Sequence, residues 1–136
     1  MEGPTSILVA DDNESTLKMI ASFLEARNFR VIGTAKSGAE LVTKAQDLAP
    51  DVVVTDISMP ELNGVAAISQ LRKMGCEAKV VILTVHMEPE FVQAAFSAGA
   101  SGYVLKSRAV LDLSRAIELA LQDQRFVSPT LTYPAK

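Results

Sequence analysis

Apolar residues are distributed along this chain in two alternating patterns. Short runs, at Ile7 to Ala10, Arg30 to Ala35, Val52 to Thr55, Val80 to Leu83 and Tyr103 to Leu105, are nearly continuous. Between them apolar residues recur every three or four positions: Leu17, Ile20, Ala21 and Leu24; Leu41, Ala45 and Leu48; Val65, Ile68 and Leu71; Val92, Ala95 and Phe96 within Pro89 to Ala98; Val110, Leu113, Ile117 and Leu121. Runs such as Val-Val-Val suit strands covered on both faces, and the wider spacing suits helices that lay one stripe on a sheet. The alternation predicts an α/β domain with a (βα) unit repeated five times. Right-handed crossovers then put helices on both faces of a doubly wound, five-stranded parallel sheet.

Punctuation agrees with this division. Asn13 or Ser15 can cap the first helix, Ser37 precedes the second, Pro50 closes it, and Asn63-Gly64 turns the chain into the third. Gly75 and Gly99 fall where helices should stop. The segment from Ser128, with Pro129 and Pro134, reads as a linker or frayed end.

Four of the five runs stop at a residue suited to phosphate chemistry: Asp11 and Asp12, Asp56, Thr84 and Lys106. In open parallel sheets ligands bind beyond the carboxyl ends of the strands, and the common strand order 2-1-3-4-5 puts strand 1 beside strand 3 at the switch point. Asp11, Asp12 and Asp56 then become neighbours. Carboxylates gathered in one crevice repel unless a cation joins them, and hard oxygen donors suit Mg2+ or Mn2+. Asp56, directly behind its run, is the candidate nucleophilic carboxylate, while Lys106 and Thr84 are placed to neutralise and hydrogen-bond a transferred phosphoryl group.

Composition narrows the reading. A chain of 136 residues, 49% of them hydrophobic, suffices for one single-core domain. Its net charge of −3 offers no basic field for a nucleic-acid backbone. Cys76 is the single cysteine, so there is no internal disulfide or zinc cluster, which suits a reducing cytoplasm. No stretch approaches the about 18 apolar residues of a membrane span, and the N-terminus lacks a signal-peptide pattern. A soluble, cytoplasmic protein is expected.

The set Asp11-Asp12, Asp56-Ile-Ser-Met-Pro, Leu83-Thr84 and Gly102-Tyr-Val-Leu-Lys106 resembles the receiver domain of two-component response regulators, which has the CheY-like, flavodoxin-like fold. The resemblance runs from about Ser6 to Ser128, so residues 1–128 read as the receiver and 129–136 as a linker or frayed tail. It implies phosphorelay signalling: a sensor histidine kinase as donor, Asp56 as phosphoacceptor, and Lys106 in contact with the phosphoryl group. It also implies that Mg2+ is held by Asp11, Asp12, Asp56 and the backbone carbonyl of Ser58. Thr84 and Tyr103 would form a switch pair altering the face of helix 4, strand 5 and helix 5, and Tyr103 would turn into space that Thr84 vacates. Ser58, Val85 and His86 lie where members differ in phosphorylation and dephosphorylation rate.

Ala98 to Lys106, with the fifth helix running into Arg125-Phe-Val-Ser-Pro129, is similar to the NarL/FixJ (LuxR-type) subfamily. In that subfamily the receiver usually precedes a helix-turn-helix domain, so the expected output is transcription control through a DNA-binding domain absent from this chain. The alternative is a stand-alone regulator acting through protein partners. A homodimer formed on phosphorylation is expected, with Val92, Leu111 and Leu119 as outward apolar contacts. Ser107 stands where many receivers carry a proline behind a cis bond, and Val85 where many have alanine or glycine. A rival phosphohydrolase reading rests on Asp11-Asp12-Asn13-Glu14-Ser15, which resembles the haloacid-dehalogenase motif but has Asn13 in place of the second acid that protonates the leaving group. The expected role is therefore a phosphoacceptor module and not a classical enzyme.

Overall fold

The chain alternates strand and helix throughout a computed structural model that describes residues 3–129 and 131. The elements are β1 (Ser6–Ala10), α1 (Glu14–Glu25), β2 (Arg30–Ala35), α2 (Gly38–Leu48), β3 (Val52–Thr55), α3 (Gly64–Lys73), β4 (Lys79–Thr84), α4 (Pro89–Ala98), β5 (Gly102–Leu105), α5 (Ala109–Leu121) and β6 (Phe126–Val127). A 3₁₀ turn over Lys106–Arg108 joins β5 to α5. Every strand pairing is parallel, in the order β2-β1-β3-β4-β5-β6. The expected order is present, and a sixth strand of two residues extends it.

Side chains alternate across the sheet with the pleat. Leu8, Val53, Val80, Ile82 and Tyr103 join the core under α2, α3 and α4. Ile7, Val9, Val54, Val81, Leu83 and Val104 join the core under α1 and α5. Asn13, Ser37 and Asn63 cap the first three helices, each accepting from the backbone N–H three residues on at 2.9 to 3.0 Å. Arg72 donates to the carbonyls of Cys76, Ala78 and Gly99 at 2.8 to 2.9 Å, stapling the end of α3 to the start of β4 and the end of α4.

Three expectations are corrected. Val92 is fully buried against the sheet, because it shares the stripe of Ala95 and Phe96; Leu119 is half-buried, and only Leu111 of that trio is exposed. The buried face of α5 is Leu113, Ala116, Ile117 and Ala120, leaving Val110 and Leu121 outside. Ser128 is 1% exposed and bonded into the fold, so the chain is still fixed at the residue where a frayed tail was expected to open. Most of segment 129–136 lies outside the described residues. Among the described residues no peptide bond is cis, so Lys106–Ser107 is trans, and no helix is long and apolar enough to cross a membrane.

Candidate functional site

β1 and β3 run side by side in register, Ala10 opposite Thr55, so the next residue of each strand emerges at the same edge. Those residues are Asp11 and Asp56. Their backbones extend the ladder, Asp56 N–H donating to the Ala10 carbonyl and Asp11 N–H to the Ala35 carbonyl. Both carboxylates are buried, and one oxygen of each is held by a backbone donor: Asp11 Oδ1 by the N–H of Asn13 at 2.9 Å, Asp56 Oδ1 by that of Ile57 at 2.6 Å. Lys106, at the end of β5, reaches across to the two remaining oxygens. Its Nζ stands 2.8 Å from Asp56 Oδ2 and 2.7 Å from Asp11 Oδ2. Asp11 Oδ2 is buried, and the Lys106 ammonium is the charge that faces it.

Two buried carboxylates therefore share one ammonium. Burial works against the charge on Lys106, but the contacts with Asp11 and Asp56 outweigh it and raise its pKa above the ordinary lysine value. The stability linked to that shift is fully present below the unfolded lysine pKa and is lost as pH rises through the folded one. Lys106→Met removes that ammonium. With no cation between them, the two buried carboxylates are left uncompensated and repel each other. The expected loss at pH 7 is about 2 kcal/mol, below the buried-pair range because Lys106 retains 25% side-chain exposure. Urea unfolding of the variant beside the wild type at pH 7 checks this, and a variant as stable as the wild type would refute it.

Asp12 is exposed. The expected convergence of three carboxylates is here a pair bridged by an ammonium. Among the described residues no group of three or more His, Cys, Asp or Glu side chains gathers closely enough to hold a metal ion. The residues nevertheless fit a small divalent cation in chemistry: hard carboxylate oxygens at one sheet edge, and more negative charge than the one ammonium balances.

The loop from Asp56 to Gly64 is shaped by glycines that the sequence reading took only as helix-start signals or passed over. Gly64 N–H donates to the Ile57 carbonyl at 2.7 Å, and a Cβ on Gly64 would lie 2.1 Å from the Asp56 carbonyl oxygen. A Cβ on Gly38, at the start of α2, would lie 1.8 Å from the Leu62 carbonyl oxygen. Asn63-Gly64 as a dipeptide was the available signal for the first; nothing local marks the second.

Thr84 and Tyr103 are both fully buried and both hold the backbone of His86. His86 N–H donates to Thr84 Oγ1 at 3.3 Å, and the Tyr103 hydroxyl donates to the His86 carbonyl at 2.9 Å. Burial, with the charges of Glu88 and Asp56 behind it, drives the Tyr103 pKa well above the usual phenol value. The His86 ring stacks on Phe91, centroids 4.5 Å apart, and its Nε2 lies 2.7 Å from Ser58 Oγ. Val85, beside it, is exposed.

Residues 7–118 match the family described as the response regulator receiver domain. The chain is 37% identical over 128 residues to the transcriptional regulatory protein YvfU of Bacillus subtilis (strain 168), covering 93% of this chain and 64% of the relative. It is 36% identical over 126 residues to the response regulator GacA of Pseudomonas viridiflava, covering 92% and 59%. The crystal structure of a LuxR-family two-component response regulator from Aurantimonas sp. SI85-9A1 superposes with a TM-score of 0.89 at 32% identity, over 93% of this chain and 91% of that one. The chain thus spans 59 to 64% of the length of these two curated relatives.

Proposed function

Because the chain belongs to the response regulator receiver domain family of two-component signalling, we propose that it takes a phosphoryl group from a phosphohistidine of a sensor kinase onto Asp56. The observation that carries this reading is the Lys106 ammonium lying between the Asp56 and Asp11 carboxylates at one sheet edge. A carboxylate oxygen of Asp56 attacks phosphorus as the P–N bond to the donor imidazole breaks and its electron pair returns to that nitrogen. Lys106 neutralises charge on one phosphoryl oxygen and the Thr84 hydroxyl hydrogen-bonds another. Asp11, Asp12, Asp56 and the Ser58 carbonyl would hold Mg2+ or Mn2+, which when bound supplies Lewis-acid neutralisation of the transferring group.

A phosphoryl group adds about 1.5 to 2 negative charges to a crevice with one ammonium. Lys106 is drawn toward it and Thr84 with it, and Thr84 is tied through His86 to Tyr103. The face formed by α4, β5 and α5 is the surface this chain of contacts reaches, and it biases a two-state equilibrium toward a homodimer or an output partner. We assign the output to transcription control through a helix-turn-helix domain outside this chain, in the cytoplasm; Ser58, Val85 and His86 tune the lifetime of the phosphate.

Intact mass after incubation with acetyl phosphate is the test. One phosphoryl addition in Mg2+ and none in EDTA is expected. No addition in either overturns the proposal in favour of a docking module.

A further inference from the structure

We propose that Ser128, locked by Asp112, is a positioning residue for Lys106, so that the C-terminal segment and the phosphoacceptor crevice form one mechanical unit. This rests on the proposed function for its consequence, though its geometry stands apart from it.

β6 pairs with β5 through Gly102 opposite Phe126 and Tyr103 opposite Val127, and then ends. Ser128 continues the ladder in a different form. Its N–H donates to the Tyr103 carbonyl at 3.0 Å, and its Oγ accepts from the Leu105 N–H at 3.1 Å, where a longer β6 would have offered a carbonyl. The same hydroxyl donates to Asp112 Oδ2 at 2.9 Å. Asp112 also receives the Arg108 guanidinium, Nε at 2.7 Å from Oδ2 and a terminal nitrogen at 3.3 Å from Oδ1. Ser128 is 1% exposed and Asp112 6%, so both are desolvated and neither can trade these partners for water.

Lys106 lies between Leu105, directly before it, and Arg108, two residues after it, and this network holds both. The β5 end is gripped from behind by Ser128, and the turn that starts with Lys106 is gripped by Asp112 through Arg108. A lysine side chain has four rotatable bonds, yet Nζ must lie within 2.7 and 2.8 Å of two separate carboxylates. Fixing its backbone origin is what makes that reach reproducible. Tyr103 is coupled to the same clasp through its carbonyl while its hydroxyl holds His86. Displacement at Lys106 or Tyr103 therefore displaces residues 126–128, and whatever chain follows them.

The test compares Ser128→Ala, Ser128→Thr and Asp112→Asn with Ser6→Ala. Ser6 makes a comparable serine–carboxylate contact with Asp51 at the opposite end of the sheet, with Oγ 3.1 Å from Oδ2, and serves as a stability control. Two readouts are taken at matched distance from each melting temperature: the rate of phosphoryl uptake from acetyl phosphate at saturating Mg2+, and the ¹⁵N resonance of the Lys106 ammonium. Ser128→Ala should slow uptake about tenfold and shift or broaden the Lys106 signal. Ser128→Thr, which keeps a hydroxyl, should restore most of both, Asp112→Asn should follow Ser128→Ala, and Ser6→Ala should change neither. A Ser128→Ala protein with wild-type rate and Lys106 signal overturns the inference, as does a loss equal to that of Ser6→Ala. If Ser128→Ala does not fold, Asp112→Asn decides by the same readouts. If the wild type takes up no phosphoryl group, the proposed function fails while the Lys106 resonance still decides the positioning role.

Discussion

Asp56→Asn should take up no phosphoryl group from acetyl phosphate under conditions where the wild type is fully modified, and should melt no lower than the wild type. The first outcome follows from chemistry: an amide has nearly the carboxylate's shape, but neither its oxygen nor its nitrogen displaces a leaving group from phosphorus as a carboxylate does. The second follows from the charge balance. Asp11 and Asp56 share a single ammonium, so one negative charge is buried uncompensated. Asparagine has one oxygen, which serves either the Ile57 N–H or the Lys106 ammonium but not both, and it leaves Asp11 and Lys106 as a one-to-one charge pair. Relief of the repulsion is worth about 1 kcal/mol, set against the modest loss of one charged hydrogen bond. Intact mass and calorimetry on the same sample check both. Label retained by the variant would move the acceptor elsewhere; a melting temperature several degrees lower would show that the second carboxylate stabilises the fold.

Gly64→Ala should cost about 3 kcal/mol and suppress uptake at Asp56 as well. Helix propensity alone points the other way, since alanine is favoured over glycine by up to about 1 kcal/mol inside a helix and less at its first residue. Sterics decide the sign. The new Cβ would stand 2.1 Å from the Asp56 carbonyl oxygen and 3.1 Å from Ile57 Cα, which are backbone atoms that cannot rotate aside. Relief requires opening the loop, which strains the 2.7 Å bond from Gly64 N–H to the Ile57 carbonyl and swings the acceptor residue itself. Gly75→Ala is the contrast: its φ of 83° is unfavourable for alanine, but nothing lies within 4 Å of the new Cβ, so about 1 kcal/mol is expected. Urea unfolding with an unchanged m-value checks both variants, and a Gly64→Ala protein as stable as the wild type would refute the steric argument.

The strands were legible because both of their faces are buried, which leaves an uninterrupted apolar run for each. The convergence of Asp11, Asp56 and Lys106 followed from strand ends and one rule of topology. What escaped was carried by residues whose role depends on a distant partner. Phe126 and Val127 are too few to announce a strand; the exposed edge of β5 makes them one. Asp112 reads as a helix-surface acid until Ser128, far along the chain, covers it. The apolar face of α5 was drawn through Val110 and Leu121 because alanine carries little signal, although Ala116 and Ala120 fill the close contact with β4 and β5. Val92 was readable both ways, and the stripe it shares with Ala95 and Phe96 was the better guide. Asp11 and Asp12 read alike in the sequence, and only the fold separates them, burying the first and leaving the second exposed.

His86 is the only histidine in the 136 residues. Its ring touches Ser58 of the acceptor loop and Phe91 of α4, while its backbone links Thr84 to Tyr103. The chain therefore carries a built-in magnetic-resonance reporter. One isolated imidazole signal, needing no label and no assignment, registers the acceptor loop and the buried tyrosine at once.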